Sequence, residues 1–179
     1  SCIDKVITID PHLHRYRSMK EVFSCGGKAL TANQLIATYI KAHVQHPVLV
    51  GPDWESSQWA ARIARSIGAA STILEKKRYS SFRVEVRMVN PIPLRGRNVV
   101  IVDDIISTGH TIVEAAKTLK KAGAKSITAI GVHGVFVNDA LKKLRKAGVN
   151  SIITTNCIEH PTNKIDVASL MTGELRKER

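Results

Sequence analysis

Aromatic residues make up only 4% of the 179-residue chain, so Val, Ile, Leu and Ala must fill whatever core it builds. Cysteine is as scarce. Cys2, Cys25 and Cys157 are too few and too scattered for a disulfide framework or a zinc ligand set, and an odd number suits three free thiols in a reducing compartment. No apolar run approaches the roughly 20 residues needed to cross a bilayer, and no secretory leader is visible. A soluble cytoplasmic protein with no membrane partner is expected. Acidic residues are in deficit: 15 Asp+Glu against 27 Lys+Arg leave a net charge of +12, which favours anionic partners. Much of the excess falls at 117–125 and 142–146, where helical spacing makes a solvated face the ordinary outcome. Neither a helix-turn-helix pattern nor aromatic-basic interleaving accompanies it, so no nucleic acid is expected.

What is present is alternation. Apolar spacing predicts a short strand at 6–9, a connector at 15–28, a helix at 29–43, a strand at 47–50 and a helix at 56–67 that Gly68 closes as a left-handed cap. A strand at 72–74 follows. Residues 83–88 alternate polar and apolar, which predicts a half-exposed strand or flap. Beyond these come a strand near 100, a helix at 112–121 closed by Gly123, a strand at 127–132, a helix at 138–146 closed by Gly148 and a strand at 151–154. Strands alternating with helices imply an α/β fold: a mainly parallel five-stranded sheet with helices on both faces. Trp54 and Trp59 are expected to pack, and His43, His46, His133 and His160 show no metal-ligand spacing.

The densest chemistry lies in Asn98-Val99-Val100-Ile101-Val102-Asp103-Asp104-Ile105-Ile106-Ser107-Thr108-Gly109-His110-Thr111. Consecutive branched aliphatics fit a parallel strand covered on both faces, and open α/β sheets place ligands at the carboxyl ends of such strands. Asp103 and Asp104 stand there. Paired carboxylates can accept from the paired donors of a vicinal diol, such as the 2- and 3-hydroxyls of ribose. Ser107, Thr108, Gly109, His110 and Thr111 supply hydroxyls and backbone N–H groups at a helix start, the chemistry that wraps a phosphate. A sugar phosphate is the ligand class that needs both halves.

This block resembles the phosphoribosyl diphosphate binding motif of type I phosphoribosyltransferases and ribose-phosphate diphosphokinases. Asp10-Pro11-His12, Val50-Gly51-Pro52-Asp53, Glu75-Lys76-Lys77-Arg78 and Thr154-Thr155-Asn156 follow the order and approximate spacing of the diphosphokinases. That resemblance implies a type I phosphoribosyltransferase-like sheet and the transfer of the diphosphoryl group of ATP to the C1 hydroxyl of ribose 5-phosphate, with Mg2+ as cofactor. It implies Lys76 and Arg78 as catalytic, Asp103, Asp104 and residues Ser107 to Thr111 as the ribose 5-phosphate site, His12 and Arg15 as ATP contacts, and His12 and Asp53 as metal-holding positions. Read from the residues alone, Asp53 could equally cap the following helix, His12 could be structural because magnesium prefers oxygen ligands, and the basic turn could be a surface feature.

The same resemblance implies a homo-oligomer and a longer chain. Residues 1–28 would be the remnant of an N-terminal domain, 29–165 the ribose-phosphate-binding domain and 166–179 a C-terminal tail. The missing half would carry aromatic and acidic contacts to the ATP base. There are departures: Trp54-Glu55-Ser56 stands where the family commonly has His-Gly-Gly, Ser107 replaces a common Asp, and His110 a common Gly. Two alternatives stay open, a phosphoribosyltransferase that consumes phosphoribosyl diphosphate and a non-catalytic regulatory protein that binds it.

Overall fold

In a computed structural model, residues 2–13, 16, 18–78 and 84–178 are described. Strands β1 (Val6–Ile9) and β2 (Gly27–Leu30) pair in parallel as a two-stranded ribbon, with Val6 opposite Gly27. The main sheet holds β3 (Pro47–Gly51), β4 (Ala70–Arg78), β5 (Val84–Met88), β6 (Asn98–Ile106), β7 (Ser126–Gly134), β8 (Ser151–Thr155) and β9 (Asn163–Ile165), in the spatial order β5-β4-β3-β6-β7-β8-β9. Among these described strands every pairing is parallel except β4 with β5. Among the described residues α1 (Asn33–His43), α2 (Trp54–Ile67), α3 (His110–Lys121) and α4 (Ala140–Lys146) connect strands, and α5 (Ala168–Leu175) follows β9.

β6 shows why its sequence forms a central strand. Val99 and Ile101 enter a core with Val48, Val50, Ala115, Leu119, Ile127 and Leu144, on the α3 and α4 side. Val100 and Val102 point the other way, into a core with Ile36, Ile40, Leu49, Ala60, Ile63 and Ile130, beneath α1 and α2. All four are essentially inaccessible. A strand covered on both faces has no polar side to alternate with, so its aliphatic run is continuous. Each such side chain contributes about 1.5–3 kcal/mol by leaving water.

The α/β class with a mainly parallel sheet and helices on both faces is as expected, and the five predicted strands are β3, β4, β6, β7 and β8. The sheet is wider by two. β5 forms from the alternating segment and pairs antiparallel with the outer part of β4, Glu75 opposite Arg87 and Lys76 opposite Val86. β9 pairs with β8 through a register shift at Thr154 and Thr155. The helix expected from residue 29 begins at Asn33, because Gly27–Leu30 is drawn into the ribbon by β1. Gly68, Gly123 and Gly148 follow α2, α3 and α4 at φ of 68°, 87° and 96°, the left-handed caps their positions require.

From β3 the chain crosses through α2 to β4 on one side; from β6 it crosses through α3 to β7 on the other. The order reverses between β3 and β6. A crevice opens at the carboxyl ends of strands at such a switch point, and Asp53 and the Asp103-Asp104 pair stand at its two sides.

Candidate functional site

Asp10, Asp53, Asp103 and Asp104 line one cavity of about 820 Å³, together with His12, Arg62 and Thr111. The four carboxylates arrive from three parts of the fold: the end of the β1 ribbon, the start of α2 and the strand β6. Asp10 ends β1 in the left-handed region (φ 38°), which Asp tolerates better than most side chains. Its Oδ2 accepts from the Ala32 N–H at 2.7 Å, which ties the ribbon to the start of α1. His133 on β7 holds the same corner: its Nε2 lies 3.1 Å from the carbonyl oxygens of both Ile9 and Asp10, and so donates to them. That tether carries His12 to the cavity, where its Nδ1 meets Asp104 Oδ2 at 2.6 Å.

Asp53 is the N-cap of α2. Its Oδ1 accepts from the Ser56 N–H at 3.0 Å while Ser56 Oγ accepts from the Asp53 N–H at 3.3 Å, a reciprocal capping box. The capping alternative is therefore realised, and Asp53 still lines the cavity. Gly51 just before it has no room for a side chain: an added Cβ would lie 2.8 Å from Ser57 Cα. The tight passage from β3 into α2 that aims Asp53 depends on it.

Asp103 Oδ1 accepts from the Asp104 N–H at 3.1 Å, and Asp104 Oδ1 from the Ile105 N–H at 2.8 Å. Burial, reinforced by the charges of Asp53 and Asp104, pushes the Asp103 carboxyl up to about 8. Folded Asp103 therefore keeps a proton that the unfolded chain releases near its ordinary value of 3.8. Because the native state binds more protons over that window, this group makes stability fall as pH rises from about 4 to 8. Asp103→Asn is expected to melt at nearly the wild-type temperature near pH 4 and increasingly above it towards pH 8. A gap that stays constant across thermal melts at pH 4 to 8 would contradict the crowding.

Ser107, Thr108 and Gly109 form the turn into α3, and His110 is its first residue. Gly109 is the N-cap at φ 74°, and a Cβ there would press on Leu144 Cγ at 3.3 Å. No side chain caps this helix start, so its first N–H groups remain for an anion. Thr111 is the member of the loop that lines the cavity among the described residues.

The structure thus brings His12, Asp53, Asp103, Asp104 and Thr111 together and sets Ser107 to His110 at the adjoining helix start. Arg15 lies outside the described residues. Of Lys76 and Arg78 the backbone is described, at the outer end of β4 where it pairs with β5. Sequence reasoning passed over Asp10, Gln58 and Arg62. Asp10 carried a usable signal, a carboxylate at a strand's carboxyl end like Asp103; Gln58 and Arg62 become visible only once Trp54 is known to start α2, which puts 54, 58 and 62 on one face.

The sequence profile of the phosphoribosyl transferase domain family matches residues 27–169. The chain belongs to that family. Among family relatives, it is similar to the ribose-phosphate pyrophosphokinases of Methanothermobacter thermautotrophicus, at 37% identity over 97% of this chain and 59% of the relative, and of Sulfolobus acidocaldarius, at 33% over 96% and 58%. It spans about three-fifths of the length of these relatives. A crystal structure of phosphoribosylpyrophosphate synthetase from Mycobacterium smegmatis superposes with a TM-score of 0.82 at 25% identity, over 98% of this chain and 58% of that one. The matched span takes in the cavity residues from Ala29 to Thr111, while Asp10 to Leu13 line the same cavity from outside it.

Whether the residues fit a magnesium ion follows from their chemistry. Hard oxygen donors suit it, and the crowding that burdens Asp103 is relieved by a cation as well as by a proton. Among the described residues no three His, Cys, Asp or Glu side chains converge to cage a metal. An ion held by one or two carboxylates, water and substrate phosphate is the arrangement these residues suit.

Proposed function

We propose that the full protein is a ribose-phosphate diphosphokinase, and that this chain supplies its ribose 5-phosphate site. The carrying observation is the Asp103-Asp104 pair, which lies near the carboxyl end of the central strand at the switch point, shares one cavity with Asp53 and His12 and precedes by a short turn the uncapped start of α3. The likeness to ribose-phosphate pyrophosphokinases supports the same reading.

In the proposed reaction the C1 hydroxyl oxygen of ribose 5-phosphate attacks the β-phosphorus of ATP, and the bond to the oxygen bridging towards the α-phosphorus breaks, releasing AMP. Such a transfer needs alignment and charge neutralisation above all. Asp103 and Asp104 hold the 2- and 3-hydroxyls; the backbone N–H groups of Ser107 to Thr111 and the positive end of α3 hold the 5-phosphate. Asp53 orients the attacking hydroxyl. Lys76 and Arg78 neutralise the charge that moves onto the leaving AMP oxygen. His12, oriented by Asp104, and Arg15 contact ATP.

Among the described residues, Asp10, Asp53, Asp103 and Asp104 share the cavity wall with Arg62, and this imbalance supports Mg2+ as the cofactor. His12 and Asp53 would hold it, and it would supply neutralisation of phosphate charge. Homo-oligomeric assembly and residence in the cytoplasm belong to the same proposal; no helix among the described residues is long and apolar enough to cross a membrane. Full-length protein incubated with ATP, magnesium and ribose 5-phosphate is expected to release AMP and phosphoribosyl diphosphate one for one. Tight phosphoribosyl diphosphate binding with no AMP released would instead favour a regulatory protein.

A further inference from the structure

Cys157 stands two residues beyond β8, where its thiol hydrogen-bonds the ring of His133 on β7. Local bonds fix the pair. Thr155 Oγ1 donates to the Val132 carbonyl at 2.7 Å and accepts from the Cys157 N–H at 3.2 Å, so the backbone that carries the thiol is tied to the residue before His133. The imidazole is committed on its other side: Nε2 donates to the Ile9 and Asp10 carbonyls, which leaves the second ring nitrogen to accept the thiol proton. Burial pushes the Cys157 thiol up, but hydrogen bonds with His133 and Thr155 and the His133 charge outweigh it and leave the thiol below its ordinary value. The bond with Cys157 holds His133 above the usual imidazole value. A thiol beside a proton-accepting imidazole is an activated nucleophile.

The proposed reaction does not use this pair, and neither residue lines the 820 Å³ cavity. What the pair touches is the ribbon. Cys157 and Ile9 pack, partly buried, against one core beneath α1 and α2, and at the ribbon's end the Asp10 N–H donates to the Leu30 carbonyl at 2.9 Å. On one side Thr154 and Thr155 are fully buried in β8, whereas among the described residues β1 pairs with β2 alone. A substituent added to the sulfur therefore displaces the ribbon, because a packed interior has no spare volume to receive it.

We propose that Cys157 is a modification site for small disulfides, with His133 as the group that takes and returns its proton, and that the adduct releases the carboxyl end of β1. The Cys157 sulfur, its proton passed to His133, attacks one sulfur of the disulfide. A new S–S bond forms to Cys157, the reagent's own S–S bond breaks, and the departing thiolate takes the proton from His133. A further thiol reverses the exchange. His12 follows Asp10 by two residues, so the adduct also weakens the contact to ATP; that consequence alone rests on the proposed function.

The probe is 2-hydroxyethyl disulfide at pH 7 on the full-length protein, followed by the mass of the peptide that contains Cys157. The adduct is expected to form about tenfold faster in wild type than in His133→Gln, whose amide keeps a donor for the two carbonyls but cannot take the proton. Backbone hydrogen exchange over residues 7–10 should rise about tenfold in the adduct and return when dithiothreitol reduces it. ATP affinity should fall about tenfold in the adduct, with ribose 5-phosphate affinity within about twofold. Cys157→Ser should match unmodified wild type in both measurements and be indifferent to the reagent. A Cys157 peptide that gains no adduct, equal rates in wild type and His133→Gln, or an adduct with unaltered exchange over residues 7–10 overturns the inference. If His133→Gln fails to fold, the wild-type adduct and its effect on that exchange decide. Failure of the proposed function reads separately, as no AMP from ATP and ribose 5-phosphate, and alters neither the adduct nor the hydrogen exchange.

Discussion

Asp103→Ala combined with Asp104→Ala is expected to abolish ribose 5-phosphate binding, by about 10²–10⁴-fold in affinity, while the chain still folds. The magnitude follows from the chemistry. Two carboxyl groups meeting two hydroxyls make two to four hydrogen bonds, each worth about 1–3 kcal/mol when one partner is removed from a desolvated site. The fold should survive because the bonds that are lost are those to the Asp104 and Ile105 N–H groups and the His12–Asp104 contact, all at the cavity rim. The aliphatic part of β6, which carries the packing, is untouched. Removing Asp103 also removes a carboxyl whose ionisation burial and the neighbouring Asp53 and Asp104 charges oppose. Unchanged affinity by calorimetry would remove the diol assignment.

Lys76→Ala is expected to lower kcat by about 10²–10³-fold with ribose 5-phosphate affinity within about twofold of wild type. A cation that meets the leaving oxygen acts on charge that exists only as the bond breaks, so its loss appears in turnover and not in ground-state binding of the sugar. The backbone geometry suits that role: Lys76 lies where β4 has left β3 and is paired with β5 alone, on an antiparallel ribbon beyond the main parallel sheet. A strand end hydrogen-bonded on one side only opens and closes more readily than strands paired on both. Equal losses in kcat and in sugar binding would contradict a transition-state role.

Much of this was legible before any coordinates. The run from Val99 to Val102 announced a strand buried on both faces, and Gly68, Gly123 and Gly148 marked the helix ends, because both signals are local: burial fixes the first and backbone conformation the second. What escaped depends on distant partners. β2 became a strand because β1 lies beside it, a parallel pairing that leaves no turn signal in the sequence. Glu174, in a segment that reads as a polar tail, is buried because Lys28 of β2 pairs with it, with Lys177 at 3.7 Å. His133 looked ordinary, having no spacing to another ligand, yet it anchors the end of β1 that carries His12.

The candidate site divides the same way. The acid pair and the glycine turn were readable because strand end, carboxylates and helix start are contiguous. The meeting of Asp10, His12 and Asp53 with them was not, since the three reach the cavity from a ribbon and a second crossover. Trp54 was misjudged for a simple reason. A tryptophan near an apolar helical stripe is usually core, but as the first residue of α2 it faces the crevice instead of the sheet.

A crystal structure of the protein with ribose 5-phosphate tests the central claim most directly. The expected density places the 2- and 3-hydroxyls on the Asp103 and Asp104 carboxylates and the phosphate against the N–H groups from Ser107 to Thr111. A sugar lodged elsewhere, with that crevice filled by the protein's own side chains, would contradict it.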